Sequence, residues 1–235
     1  MKLLLFSENN GQEQFLAEIA AGPVLIGRNV DRCQIILDSS VVSTIHGEFF
    51  LYAGQWFFKD LGSSNGSSIN QQKLKSDQPY FLREGDILTL ANMTLVVRYE
   101  ETRDSFRRMV FVFQQWDPIS AIQIPEYGKA LELGGKSKQF EGAGEFSNTP
   151  LVLIESTGNA VTLTVRASGF SVYLNQRAFH GTTIIKDRDL IEVVDYSILV
   201  DCSEDHASSG IGGVSKPQTG AFSAPKKNAA SGKKD

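Results

Sequence analysis

The chain has 235 residues, 41% hydrophobic and 21% charged, a balance that supports a buried core in one large or two modest domains. Its 23 basic and 27 acidic side chains leave a net charge of −4, which argues against a nucleic-acid binder, because phosphate backbones are held by basic surfaces. Two cysteines, Cys33 and Cys202, are too few for a disulfide framework, so a reducing, cytoplasmic setting is expected.

The chain opens on an apolar run, Met1 to Phe6, that stops at Ser7-Glu8-Asn9-Asn10 without a small-residue cleavage site. A first strand is expected there rather than a signal peptide. No run approaches the roughly 20 apolar residues of a membrane span, so membrane insertion is not expected. Residues 14–19 roughly alternate, as a half-buried strand does. Residues 47–52 and 55–59 are aromatic-rich and meet at Ala53-Gly54, which predicts a hairpin. Residues 87–90 and 93–98 flank a short turn at Ala91-Asn92. The pattern continues with a hairpin of 151–155 and 161–166 around Thr157-Gly158-Asn159, then short strands at 172–174, 190–194 and 197–201. No segment keeps helical spacing over three turns. The fold expected is all-β, with two β-sandwich domains in tandem at 1–100 and 101–202.

The two halves echo each other. Asn70, within Ser68 to Leu74, lies 16 residues before Asp86, and Asn175 lies 14 residues before Asp189. A strand, a turn, a strand and an acidic turn recur in the same order, which predicts a duplicated β-domain. Residues 203–235 differ in kind, being rich in Gly, Ser, Ala and Lys with Phe222 as the one aromatic. Such a segment cannot bury enough apolar surface to offset its ordering entropy, so a disordered tail is expected. Its lysine pairs Lys226-Lys227 and Lys233-Lys234 read as solvated charge, and Thr219 as a residue open to a kinase.

Four polar clusters stand in order in the first half: Gly27-Arg28, Ser43-Thr44-Ile45-His46, Asp60 through Ser67, and Asn70. Together they resemble the forkhead-associated (FHA) domain, over roughly residues 1–100, with the second half a degenerate FHA-like domain. The resemblance implies recognition of phosphothreonine. A phosphothreonine carries a charge near −2 and three acceptor oxygens, so its pocket needs a fixed cation and short donors. Arg28 offers a planar, permanently charged fork, Gly27 a close backbone approach and Ser43 a short hydroxyl. By the same resemblance Thr44 lines the pocket without the positive charge often found there. Asn65, assisted by Ser64, is expected to bracket the peptide backbone, with Gly66 supplying the positive-φ turn. His46 is expected to brace the loops, and Asp60 to fix a turn. Arg32 reads either as a solvated loop charge or as a contact beyond the phosphate, and Cys33 as a loop or core thiol.

An enzyme is not expected from the inventory of side chains. His46, His180 and His206 lack metal-ligand spacing, so neither a metal nor another cofactor is expected. A nucleotide-binding glycine loop is absent from the sequence, and Ser63 with His46 lacks a positioned acid and oxyanion site. In the second half, Leu133-Gly134-Gly135-Lys136 sits near the place of Gly-Arg, and Ser168-Gly169-Phe170 near that of the asparagine turn. The roles left to that half are packing on the first, homo-oligomerisation or presenting a surface to a partner; His180 reads as a surface histidine. The expected function is a non-catalytic signalling adaptor, its partner a phosphothreonine-containing protein, either a Ser/Thr kinase or a kinase substrate. The alternative is a phosphorylation-independent assembly component.

Overall fold

Period-two burial sets the first sheet. Leu3 and Leu5 of β1 (Leu3–Asn9) are fully buried while Leu4 and Phe6, which alternate with them, are only partly so. β1 pairs with β2 (Gln12–Ile19) and with β11 (Met93–Tyr99), all antiparallel. The computed structural model describes residues 2–100, 108–134, 151–157, 160–166 and 169–202. Four expectations lie partly or wholly outside these: the tail with Thr219, the Gly158-Asn159 turn, Gly135-Lys136, and Ser168.

The remaining strands of the first half are β3 (Val24–Gly27), β4 (Ile35–Ile36), β5 (Gly47–Tyr52), β6 (Gln55–Asp60), β7 (Ser67–Ile69), β8 (Gln72–Lys73), β9 (Pro79–Phe81) and β10 (Ile87–Leu90). They form two sheets, ordered β2-β1-β11-β10-β7-β8 and β4-β3-β5-β6-β9. The second half supplies β12 (Met109–Gln114), β13 (Asp117–Gln123), β14 (Ala130–Leu133), β15 (Val152–Thr157), β16 (Ala160–Val165), β17 (Val172–Leu174), β18 (Arg177–Phe179), β19 (Thr182–Ile185), β20 (Leu190–Val193) and β21 (Tyr196–Asp201). Its sheets run β13-β12-β21-β20-β17-β18 and β14-β15-β16-β19. The six-stranded sheets of the two halves repeat one topology. The fold is all-β: two sandwiches in tandem.

The echo in sequence is a hairpin lock. Asn70 and Gln71 sit at φ 50° and 69°, and Asn175 and Gln176 repeat both values, as a tight hairpin requires. Asn70 Nδ2 donates to Asp86 at 2.7 Å, and its Oδ1 accepts the Ile87 N–H at 2.9 Å. Asn175 does the same with Asp189 at 2.8 Å and the Leu190 N–H at 3.0 Å. Each asparagine thus pins its turn to the strand that follows the acidic turn. Gly134 directly follows Leu133, which pairs with Val152 at the start of β15, as Gly27 follows Ile26, which pairs with Gly47 at the start of β5.

Each sandwich has its own apolar core, and a third cluster lies between them. β6 accounts for it. Trp56 and Phe58 point into the first core, whereas Phe57, on the other face, meets Phe111 and Phe113 of β12 edge to face, at 5.1 and 5.8 Å between centroids. Phe81 and Leu199 complete the layer. Charged groups close its edge in a reciprocal pattern: Arg83 pairs with Asp187 and Asp201, and Arg188 pairs with Asp86 at 2.6 Å. Both guanidinium groups lie over the Phe81 ring, at 4.7 and 4.9 Å. Residues Met1–Glu204 accordingly form one unit. Phe57→Ala is expected to destabilise the chain by about 3–5 kcal/mol, the usual loss for a buried phenylalanine. Urea unfolding of the two proteins, compared at their midpoints, measures it.

Candidate functional site

The site begins where β3 ends. A Cβ on Gly27 would come within 2.6 Å of the Thr44 carbonyl oxygen, so only glycine lets the two loops meet. Just beyond, the Arg28 N–H donates to the Ser43 carbonyl at 3.1 Å and the Asn29 N–H to the Thr44 carbonyl at 3.2 Å. Asn29 Oδ1 then accepts the N–H groups of Asp31 and Arg32, both at 2.9 Å, and folds the segment into an Asx turn. This role of Asn29 was not anticipated from the sequence; the turn-forming stretch Asn29-Val30-Asp31-Arg32 was the available signal. Cys33 is buried against the Thr44 carbonyl, and that burial pushes its thiol pKa up. Arg28 itself is exposed, and among the described residues no carboxylate lies within ion-pair distance of it.

A buried scaffold ties the next two loops together. His46 is 0% exposed; its Nδ1 accepts the Ser43 N–H at 3.3 Å and its Nε2 faces the Gly66 carbonyl at 3.2 Å. That pairing fixes the neutral tautomer with the proton on Nε2. Burial holds its pKa below the ordinary imidazole value, against the opposing pull of Asp60 and the Gly66 carbonyl. Asp60 accepts the Ser63 N–H at 2.8 Å and the Ser63 hydroxyl at 2.7 Å, and a short bond from the Ser67 hydroxyl. Burial alone would raise its pKa, but these hydrogen bonds, that from Ser67 foremost, bring it below the usual carboxylate value. Gly66 takes φ +74°, the left-handed turn next to Asn65.

On this scaffold the candidate contacts converge. Arg28, Ser43, Thr44, Ser64 and Asn65 line one groove of about 300 Å³, while Gly27, His46 and Gly66 are not among its lining residues. Ser43 Oγ accepts the Ser64 N–H at 3.0 Å, which leaves the hydroxyl proton of Ser43 free to donate. Asn65 Nδ2 donates to the Val41 carbonyl at 2.7 Å, so one of its two amide protons is used and its Oδ1 remains an open acceptor. Val41 and Ser40 also line the groove, and neither was singled out from the sequence, because a main-chain carbonyl leaves no mark on residue type. Arg32 is not among the lining residues. A cation, the hydroxyls of Ser43, Thr44 and Ser64, and an amide lining one space can hold a tetrahedral anion attached to a peptide.

The family model of the FHA domain matches residues 24–91, the stretch that holds every one of these groups. Residues 24–91 form an FHA domain. The E3 ubiquitin-protein ligase DMA1 of Saccharomyces cerevisiae is 33% identical over 88 residues, which cover 30% of this chain and 21% of that protein. The FHA domain-containing protein FhaB of Mycobacterium tuberculosis is 36% identical over 52 residues, 22% of this chain and 33% of its own. The chain thus spans no more than a third of either relative. Among solved structures, an FHA domain from a structural and functional analysis of phosphothreonine-dependent FHA interactions is 26% identical. It covers 43% of this chain and 100% of its own, with a TM-score of 0.36.

One expectation is overturned here. A curated relative of the FHA region is named an E3 ubiquitin-protein ligase, so the reading of this chain as no enzyme does not stand. The inventory behind that reading sought a nucleophile, an acid or metal ligands in the chain itself, groups that a recognition domain within an enzyme need not carry. The FHA scaffold has a testable pH signature. Because the folded state holds His46 neutral, the unfolded chain binds the extra proton, and stability falls as pH drops below about 6.5. The loss approaches about 1.4 kcal/mol per pH unit per histidine until the folded-state pKa is reached. Urea unfolding between pH 7.5 and 5.5 is expected to show this slope, and His46→Gln to flatten it while lowering stability at pH 7.5.

Proposed function

We propose that the groove binds a phosphothreonine-containing segment of another protein, and that a Ser/Thr kinase or its substrate supplies it. The observation that carries this reading is the guanidinium of Arg28, without a carboxylate partner among the described residues, lining one groove with the open hydroxyl of Ser43 and the amide of Asn65. Arg83, Arg98 and Arg188 are each already paired with a carboxylate, whereas Arg28 has no such pairing among the described residues. Arg28 keeps its charge for a ligand. Thr44 adds a hydroxyl but no second cation, so the phosphate meets one full positive charge in the groove. The free thiols of Cys33 and Cys202 fit a cytoplasmic setting, where such kinases supply the ligand. Recognition of this kind can select phosphorylated targets for ubiquitin transfer, the activity in the name of the yeast relative.

Removing a hydrogen-bonded charge partner from a desolvated phosphate costs about 2–5 kcal/mol. Arg28→Ala is therefore expected to weaken binding by at least about thirtyfold in titration calorimetry, with the melting temperature held, because the side chain faces solvent. Replacing phosphothreonine by phosphoserine removes one methyl, worth about 0.8 kcal/mol or roughly fourfold. Equal affinity for the unphosphorylated peptide would refute the reading.

A further inference from the structure

The groove at Arg28 does not end at Asn65. Asn65 also lines a second depression of about 290 Å³ floored by Gly66, Ser67, Ser68 and Thr89, and Lys73 lines its far side. Lys73 in turn lines a cleft of about 370 Å³ where the two sandwiches meet, with Lys75 and Gln78 on one wall and Asn175, Gln176 and Arg188 on the other. Shared residues thus join three depressions into one surface path.

The far cleft has unmet chemistry of two kinds. Its acids are engaged: Asp187 pairs with Arg83 and accepts the Cys202 N–H, and Asp189 accepts Asn175 Nδ2 and the Lys186 N–H. Arg188 is engaged too, on Asp86. Lys73 and Lys75 are exposed, and among the described residues no carboxylate lies within ion-pair distance of either ammonium group. Gln78 is 4% exposed, and its Oε1 is buried without a donor among the described residues. A buried acceptor left without a partner is destabilising, which marks this wall of the cleft as one that a donor would complete.

We infer that the second sandwich completes a subsite for one flank of the bound phosphopeptide, where Lys73 and Lys75 read acidic side chains. The inference rests on the phosphothreonine reading of the groove. Register gives the spacing. Lys73 lies directly opposite Ser68, three residues beyond Asn65, and because the pairing is antiparallel the chain from Lys73 through Leu74 to Lys75 runs back towards Gly66, the Leu74 N–H donating to the Ser67 carbonyl. At about 3.3 Å per extended residue, the acidic positions fall about one to three residues beyond the peptide residue that faces Asn65.

The test uses the full chain and phosphothreonine peptide libraries whose flanks, on either side, carry Asp and Glu or Asn and Gln at those positions. Exposed ion pairs are modest, so the acidic flank is expected to tighten binding roughly two- to thirtyfold at low ionic strength, on one side only. The double variant Lys73→Glu with Lys75→Glu is expected to abolish that gain and to leave the affinity for amide-flanked peptides unchanged. If acidic and amide flanks bind equally on both sides, or if the double variant keeps the gain, the subsite is overturned and the phosphothreonine reading survives. If no phosphopeptide binds the unaltered chain, both fall together.

Discussion

His46 keeps its neutral ring between the Ser43 N–H and the Gly66 carbonyl, out of reach of water, and the recognition surface depends on that contact. The ring joins the loop carrying Ser43 and Thr44 to the loop carrying Ser64 and Asn65. A displaced ring would leave a donor and an acceptor unsatisfied in a buried place, at about 1–3 kcal/mol each. Asp60 sits beneath and gathers Ser63 and Ser67 onto one carboxylate, so the second loop is fixed from below as well. The groove is therefore held in shape before any ligand arrives, and binding need not bear the entropy of ordering its loops.

The same economy of contacts explains why the two sandwiches act as one body. β6 has no solvent face: Trp56 and Phe58 fill one core while Phe57 fills the layer shared with the second half. An aromatic surface of that size would be unfavourable if left in water, so the first sandwich is incomplete without its neighbour. Arg83 and Arg188, each over Phe81 and each on a carboxylate of the other half, then fix the register of the contact. What this leaves uncommitted at the junction is a pair of lysines and a buried amide oxygen, and these lie on the path from the groove.

Much of this was legible in the sequence, for reasons that can be traced to particular residues. The apolar run at the start marked β1 and alternation over residues 14–19 marked β2, and Asn70 with Asp86 and Asn175 with Asp189 marked the repeat, because asparagine tolerates the left-handed turn and the acid holds it. The groove residues could be read because the FHA pattern sets residues of fixed kind in a fixed order along the chain. The unbroken run Trp56-Phe57-Phe58 could only be read as a strand-rich hairpin: burial on both faces is a property of the partner sheet and not of the strand. Arg83 and Asp187 stand 104 positions apart, and nothing local to either residue signals the other. Val41 acts through its carbonyl and could not be seen at all.

One exchange between the halves shows what the repeat has been used for. Gly85 and Arg188 occupy the same place in their acidic turns: each donates its N–H to the last strand, Gly85 to Val97 at 2.8 Å and Arg188 to Val200 at 2.9 Å. Both take positive φ, +80° for the glycine and +64° for the arginine. Glycine is the natural residue there, and a side chain in that conformation costs on the order of 1 kcal/mol. Arginine is tolerated because its guanidinium leaves the strained turn, crosses to the first sandwich, and lies on Phe81 with an oxygen of Asp86 at 2.6 Å. The same Asp86 locks Asn70 through its other oxygen, at 2.7 Å. The second sandwich therefore grips the first at the carboxylate that holds the β7–β8 hairpin, the hairpin whose Lys73 stands between the groove and the cleft.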